Sequence, residues 1–353
     1  MVSGSNLVHP ADCFHAQSPQ HRGRRDFVKG MAALAGAAGL AAYDMRSAAA
    51  EPPPETKKIR LVKVPAVCLA PEYIAEELLR LEGFSDIEYV EIDATKAPDM
   101  LLANRADITA WTPPALMPDL DAGKPMVALA GIHGGCNELF ANGRVRTIRD
   151  LKGKRIAISA MGAAEYYFVS AIVAYVGIDP QRDIHWVEAG YDNMFQHFID
   201  GKADAVLAFP PHPQDLRARK IGRVIVDTAQ DKPWSQYFCC IITAHNEFVT
   251  KHPVATKRAV RAILKAADIC AQDPERAARY MVDKGYEPRY EVALEVVKSL
   301  SYDRWRTYNP EDSLRFFGVR LHEAGLIKTQ PDKLIAQGTD WHFLNELKRE
   351  LKA

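Results

Sequence analysis

Ile59-Arg60-Leu61-Val62-Lys63-Val64 and, shortly after it, Ala70-Pro71-Glu72-Tyr73-Ile74-Ala75 set the architecture of this chain. The first stretch is rich in β-branched residues and follows a proline-containing spacer, 51–58, so it predicts a strand. The second predicts a helix. Pro71 suits a first turn, Glu72 complements the helix dipole, Ile74, Leu78 and Leu81 recur on one face, and Gly83 fits the position after the last turn. The alternation continues with strand 87–92, helix 98–104, strand 107–111, helix 114–122 and strand 126–131. A second run starts after the polar turn Asp150-Leu151-Lys152-Gly153-Lys154-Arg155. It reads as strand 156–159, helix 163–176, strand 185–188, helix 193–200, strand 205–209, helix 213–220 and strand 224–227. The chain returns through 236–244, and helical periodicity then dominates 255–270, 274–284, 290–301 and 310–324. This is an α/β protein with two lobes joined by crossings near 137–147 and 236–246, a body that closes by hinge motion. In open α/β sheets a ligand sits beyond the carboxyl ends of the strands, so the loops after them predict the cleft.

The 353 residues carry 45 basic and 45 acidic side chains and 48% hydrophobic residues, which excludes a disordered chain and a large phosphate-tracking surface; no nucleic-acid partner is expected. The first fifty residues read as an address. Arg24-Arg25-Asp26-Phe27-Val28-Lys29 precedes an Ala/Gly-rich apolar run, 31–42, and resembles a twin-arginine signal, with Gly23 in place of the usual Ser or Thr. The run is too short and weakly apolar for a membrane helix. Ala48-Ala49-Ala50 gives a cleavage site before Glu51, so the expected product is a soluble periplasmic protein exported through the twin-arginine translocase. Cys13 leaves with the signal, and Cys68, Cys136, Cys239, Cys240 and Cys270 remain, an odd and sparse set that is no disulfide framework. These read mostly as small buried apolar residues. Neighbouring Cys239 and Cys240, in a strand, should point to opposite faces.

Several passages together resemble the periplasmic solute-binding proteins of ABC importers for nitrate, sulfonate, taurine, bicarbonate and thiamine-pyrimidine precursors. They are Ala70 to Ala75, Arg105-Ala106-Asp107-Ile108 before Trp111-Thr112-Pro113, the stretch 122–129, the stretch 150–158, and Gly201-Lys202-Ala203-Asp204-Ala205. The resemblance implies a two-lobed type II periplasmic-binding-protein fold with a C-terminal helical region. Residues 1–50 are the signal, 51–58 a linker, 57–143 plus 245–353 lobe 1, and 144–244 lobe 2 with the return crossing. It also places the solute against loops at Cys68 to Ala70, Trp111 to Pro113, Ser159 to Ala163 and Phe209 to His212.

On those loops the residues suggest roles. Ser159-Ala160-Met161-Gly162-Ala163 opens a helix whose free amides suit an anionic head group, with Ser159 donating a hydroxyl and Tyr166 facing the same solute. Trp111 offers an apolar wall and Thr112 a hydrogen bond; Phe209 offers a second wall, and His212 a polar or positive contact. Cys68 and Ala70 line the first loop. His133-Gly134-Gly135-Cys136 follows the last strand of the first run, where two glycines suit a hinge or close approach to a solute. His133 and Cys136 have metal-compatible chemistry, but no second spaced pair completes a zinc set, so cleft lining is preferred and no metal or cofactor is expected.

The leading function is a non-enzymatic, monomeric receptor that captures a small anionic organic solute, a sulfonate, carboxylate or related molecule, and delivers it to an inner-membrane ABC permease. An aromatic pocket favours a sulfonate, carboxylate or heterocycle over bare nitrate. The rival is an enzyme like the pyrimidine-precursor synthases of thiamine biosynthesis, whose cysteine-rich stretch Phe238-Cys239-Cys240 faintly resembles. A third class is a solute-sensing partner of a membrane receptor.

Overall fold

The first strand, β1 (Lys58–Lys63), buries Ile59, Leu61 and Val62, and because Leu61 and Val62 point to opposite faces the strand is covered on both sides there. The computed structural model describes residues 51–64, 66–91 and 97–352; the signal-peptide and cleavage-site readings on 1–50 lie outside the described residues. The fold below belongs to the compact unit Pro53–Ala353. Helix α1 (Ala70–Leu81) follows β1 and carries Pro71 in its first turn. Then come β2 (Asp86–Glu91), α2 (Ala97–Leu102), β3 (Ile108–Trp111), α3 (Pro113–Asp121) and β4 (Met126–Gly134), the last buried along its whole length.

The second set is β5 (Glu138–Ala141), β6 (Arg155–Ile158), α4 (Ala164–Tyr175), β7 (His185–Glu188), α5 (Tyr191–Ile199), β8 (Ala205–Ala208), α6 (His212–Ala218) and β9 (Arg223–Asp227). Strand β10 (Phe238–His245) returns, and helices complete the chain: α7 (Asn246–Lys251), α8 (Pro253–Gln272), α9 (Pro274–Asp283), α10 (Tyr290–Ser299), α11 (Pro310–Glu323), α12 (Pro331–Gly338) and α13 (His342–Glu350). Among the described residues no helix is long and apolar enough to cross a membrane.

The strands form two sheets of the same plan, β2-β1-β3-β10-β4 and β7-β6-β8-β5-β9. In each, the fourth strand comes from a crossing and runs antiparallel to both neighbours, β10 between β3 and β4, and β5 between β8 and β9. The sheets therefore divide the chain just after β4 and just before β10, not at 143 and 244. Glu138–Ala141 completes the second sheet although it precedes the expected boundary at 143, and β10 belongs to the first although all but its last residue falls before the expected boundary at 244.

Each lobe is fastened toward the amino ends of its strands by the same clasp. Arg60 donates from its backbone N–H to Asp107 Oδ2 (2.8 Å) and from Nη2 to Oδ1 (2.6 Å), tying β1 to the entry of β3. Arg155 makes the same pair of bonds to Asp204 (3.0 and 3.1 Å), tying β6 to the entry of β8. A paired guanidinium and carboxylate with a backbone N–H fixes strand register as well as charge.

Candidate functional site

The carboxyl ends of both sheets face one cavity of ≈ 80 Å³. From the first lobe, Val64, Ala66, Cys68 and Leu69 reach it after β1, and Ala110, Trp111 and Thr112 at the end of β3. Second-lobe walls are Ala164, Glu165 and Phe168 at the start of α4, Tyr191 at the start of α5, and Leu207 and Phe209 at the end of β8. The crossings supply the floor, with Cys136, Asn137, Cys239 and Cys240. The lobes touch around it. Val67 N–H donates to Pro210 O (3.4 Å), Arg217 pairs with Glu295 (2.7 Å) and Arg289 with Asp215 (2.5 Å).

Of the residues singled out by sequence, Cys68, Trp111, Thr112 and Phe209 line this cavity. Thr112 Oγ1 is buried without a hydrogen-bond partner among the described residues, leaving a hydroxyl for a solute. The loop 159–163 differs from its expected use as an anion cradle. Glu165 accepts from Ser159 N–H (2.6 Å) and from Ser159 Oγ, and Glu188 accepts from Met161 N–H (3.1 Å), so these two loop amides already hold the protein's own carboxylates. Met161 is half exposed, Gly162 takes a left-handed φ of +81°, and Ala163 precedes the wall residues without joining them.

Tyr166 turns away to pack edge-on against Trp186, with ring centroids 4.8 Å apart, because α4 starts at Ala164 and its cavity-facing positions are 164, 165 and 168. Ala70 is fully buried in α1. His212 stands behind the wall: it stacks on Phe195 (4.0 Å) and its Nε2 lies 3.2 Å from Tyr191 Oη. Burial pushes its pKa below the ordinary range, so at neutral pH it is an uncharged brace for Tyr191, not a positive contact.

Glu165, Phe168, Asn137, Cys239 and Cys240 carry no site assignment from sequence. The floor arises from a break in strand alternation. Register shifts between Phe238, Cys240 and Ile241 mark a bulge in β10, and Cys239 and Cys240 both reach the cavity instead of opposite faces. Cys136 Sγ lies 3.1 Å from Cys239 Sγ, and Asn137 Nδ2 donates to Cys239 Sγ (3.1 Å). Hydrogen bonding with Cys136 and Cys240 holds both Cys68 and Cys239 well below the usual thiol range. Gly134 and Gly135 keep ordinary φ values; Gly135 is needed for close approach, since a Cβ there would lie 2.0 Å from Thr228 O.

Known proteins share this fold. The nitrate-binding periplasmic protein NrtA of Synechocystis PCC 6803 superposes with a TM-score of 0.70 at 16% identity, covering 85% of this chain and 90% of that one. The alkanesulfonate-binding protein SsuA of Xanthomonas axonopodis pv. citri, solved with MOPS, gives 0.67 at 16% identity, covering 83% and 100%. In sequence, the 4-amino-5-hydroxymethyl-2-methylpyrimidine phosphate synthase THI12 of Saccharomyces cerevisiae is 26% identical over 182 residues, 47% of this chain and 52% of that one. The chain thus spans about half the length of the curated relative it matches. The profile of the NMT1/THI5-like family matches residues 81–277, more than half of the chain. The chain has the two-lobed periplasmic-binding-protein fold and belongs to the NMT1/THI5-like family.

Proposed function

We propose that the chain is the periplasmic solute-binding component of an ABC importer, which holds a small heteroaromatic solute between its lobes and presents the closed form to a permease. One observation carries the choice of solute. The wall is aromatic and aliphatic, with Trp111, Phe168, Tyr191 and Phe209 around it, and its single charged lining residue is Glu165, with no Lys or Arg among them. A bare anion in such a site would lose its hydration without gaining a counter-charge. A flat ring with amino donors gains stacking from the aromatic side chains, a charge-assisted bond to Glu165, and polar contacts at Thr112 and Asn137. Of the solutes weighed from sequence, the heterocycle is favoured over a sulfonate or carboxylate. Transport is supported by the likeness to periplasmic binding proteins and to the ligand-binding component of an ABC-type import system; export through the twin-arginine translocase, read from Arg24-Arg25, and a monomeric state are proposed with it.

A melting-temperature screen of the exported protein against an aminopyrimidine, taurine, an alkanesulfonate and nitrate tests it. The aminopyrimidine should raise the melting temperature in a concentration-dependent way, as a ligand that binds only the folded chain must. Stabilisation by the sulfonates or nitrate alone refutes the choice of solute. A synthase-like activity is the second reading, favoured by the THI12 match and by the thiols at the cavity floor. Turnover of the bound heterocycle, seen as product by mass spectrometry, would replace the receptor reading with this one.

A further inference from the structure

The geometry points to a thiolate metal site at the floor of the cavity, built for a thiophilic d¹⁰ cation, Zn²⁺ or Cu⁺. Three separate segments converge there. Donor atoms of Cys68, His133 and Cys136 lie within 4.8 Å of one another, and so do those of Cys136, Cys239 and Cys240, with Cys136 common to both sets. A metal–sulfur bond of about 2.3 Å in a tetrahedral site puts ligand sulfurs roughly 3.8 Å apart, so small side-chain movements bring these donors to coordination distance. The set is rich in sulfur and the wall around it apolar, which selects soft cations over magnesium or calcium.

His133 gives an independent sign. The residue is completely buried and its Nδ1 lies 2.7 Å from Gly134 O. A carbonyl only accepts, so Nδ1 carries a hydrogen and Nε2 is the nitrogen left to meet a ligand. That Nε2 is buried and has no hydrogen-bond partner among the described residues. A ligating imidazole is characteristically held this way, with its other nitrogen donating to a backbone carbonyl. The neighbours are held too: Tyr302 Oη donates to Cys68 O (3.0 Å), and Asn137 Nδ2 to Cys239 Sγ. Because the four cysteines also line the cavity, a bound ion would be reachable by the solute.

The test uses the full exported chain, isolated anaerobically, stripped with chelator and reductant, and titrated separately with Zn²⁺ and Cu⁺ against chromophoric chelators in the absence of any solute. Co²⁺ serves as the spectroscopic probe of thiolate ligation. One ion per chain with a thiolate charge-transfer band is expected from at least one of the two cations. Cys136→Ser and Cys239→Ser should each weaken it at least tenfold, while Cys270→Ser, outside the cluster, leaves it unchanged. Should the serine variants fail to fold, protection of the parent's cysteines from alkylation by the bound ion gives the same answer. Absence of stoichiometric binding, equal affinity in folded Cys136→Ser, unprotected thiols, or a Cys136–Cys239 disulfide in the freshly isolated chain would overturn the site. None of these results depends on which solute the cavity takes, so failure here is distinct from failure of the receptor reading.

Discussion

Adjacent glycines, Gly134 at the end of β4 and Gly135 at the start of the crossing, should respond very unequally to the same substitution. A methyl at Gly135 would lie 2.0 Å from Thr228 O and 2.2 Å from its carbonyl carbon, backbone atoms that yield only if the two crossings separate by more than about 1 Å. Those crossings are clamped at this point. Thr228 N–H donates to Asn137 O, Thr228 Oγ1 donates to the same oxygen, and Asn137 N–H donates to Thr228 Oγ1, each at 2.9 Å. Losing two or three of these at roughly 1 kcal/mol each, with overpacking of about 1–3 kcal/mol, gives a loss of roughly 3–6 kcal/mol for Gly135→Ala. An unfolding entropy of about 2.1 cal/mol/K per residue over roughly 300 residues converts this to a fall in Tm of about 5–10 °C. At Gly134 the nearest atoms to an added Cβ are Tyr237 O at 3.9 Å and Ser301 Cβ at 4.0 Å, so Gly134→Ala should shift Tm by about 1 °C or less. Calorimetry of the two variants beside the parent decides it. Asn137 lines the cavity, so Gly135→Ala should also weaken solute binding. Equal Tm values for the two variants would refute the close-approach role of Gly135.

Glu72 is buried with neither carboxyl oxygen hydrogen-bonded among the described residues, and burial pushes its pKa up to about 8. The folded chain then keeps a proton that the unfolded chain releases near pH 4.5, so this group makes stability fall as pH rises from about 4.5 to about 8, at up to roughly 1.4 kcal/mol per pH unit. Glu72→Gln should flatten that limb in urea titrations; an unchanged slope counts against it. Replacing Glu165 by Ala removes the charge from the wall and frees the Ser159 amide, so aminopyrimidine affinity should fall about tenfold or more while sulfonate affinity rises, as read by calorimetric titration. If both fall alike, Glu165 is only a scaffold. The lobe-bridging pairs Arg217–Glu295 and Arg289–Asp215 are partly exposed and together contribute about 1 kcal/mol or less to closure. The double change Glu295→Gln with Asp215→Asn should therefore raise the solute Kd by up to about fivefold and enlarge the radius of gyration in X-ray scattering, and high salt should do the same to the parent. Insensitivity of both chains to salt would show that closure does not depend on these pairs.

The architecture was readable where the determinant is local. Pro71 and Gly83 bracket α1, and Ile59, Leu61 and Val62 mark β1 as a buried strand. The Asp107 and Asp204 passages, noted from sequence only as family-like, acquire their physical reason in the clasps to Arg60 and Arg155. Glu138–Ala141 went unread as a strand because it is short, follows Gly134-Gly135 without a turn signal and finds its partners far along the chain. The helices Pro331–Gly338 and His342–Glu350 were not separated from the rest of the tail. At the site, loops after strands could be named from topology, which led to Cys68, Trp111, Thr112 and Phe209. Which face of α4 turns inward depended on a start at Ala164, and a one-residue difference in phase separates Glu165 from Tyr166. The arrival of Cys239 and Cys240 beside Cys68 and Cys136 was hidden for another reason: the bulge that gathers both onto one side leaves no mark in a pattern of period two.

The exchanged strands also fix an order of completion during synthesis. In the second sheet the inserted strand β5 emerges before β8 and β9, the neighbours it must join, so that sheet can close as soon as Asp227 is available. In the first sheet β3 and β4 are made early, yet the strand that lies between them is β10, about a hundred residues later. Until it arrives, β3 presents an open edge and β4, which the finished fold buries along its whole length, has no place to pair. The half of the protein that is translated first is therefore the half that is finished last, and its longest buried strand is the one that must wait.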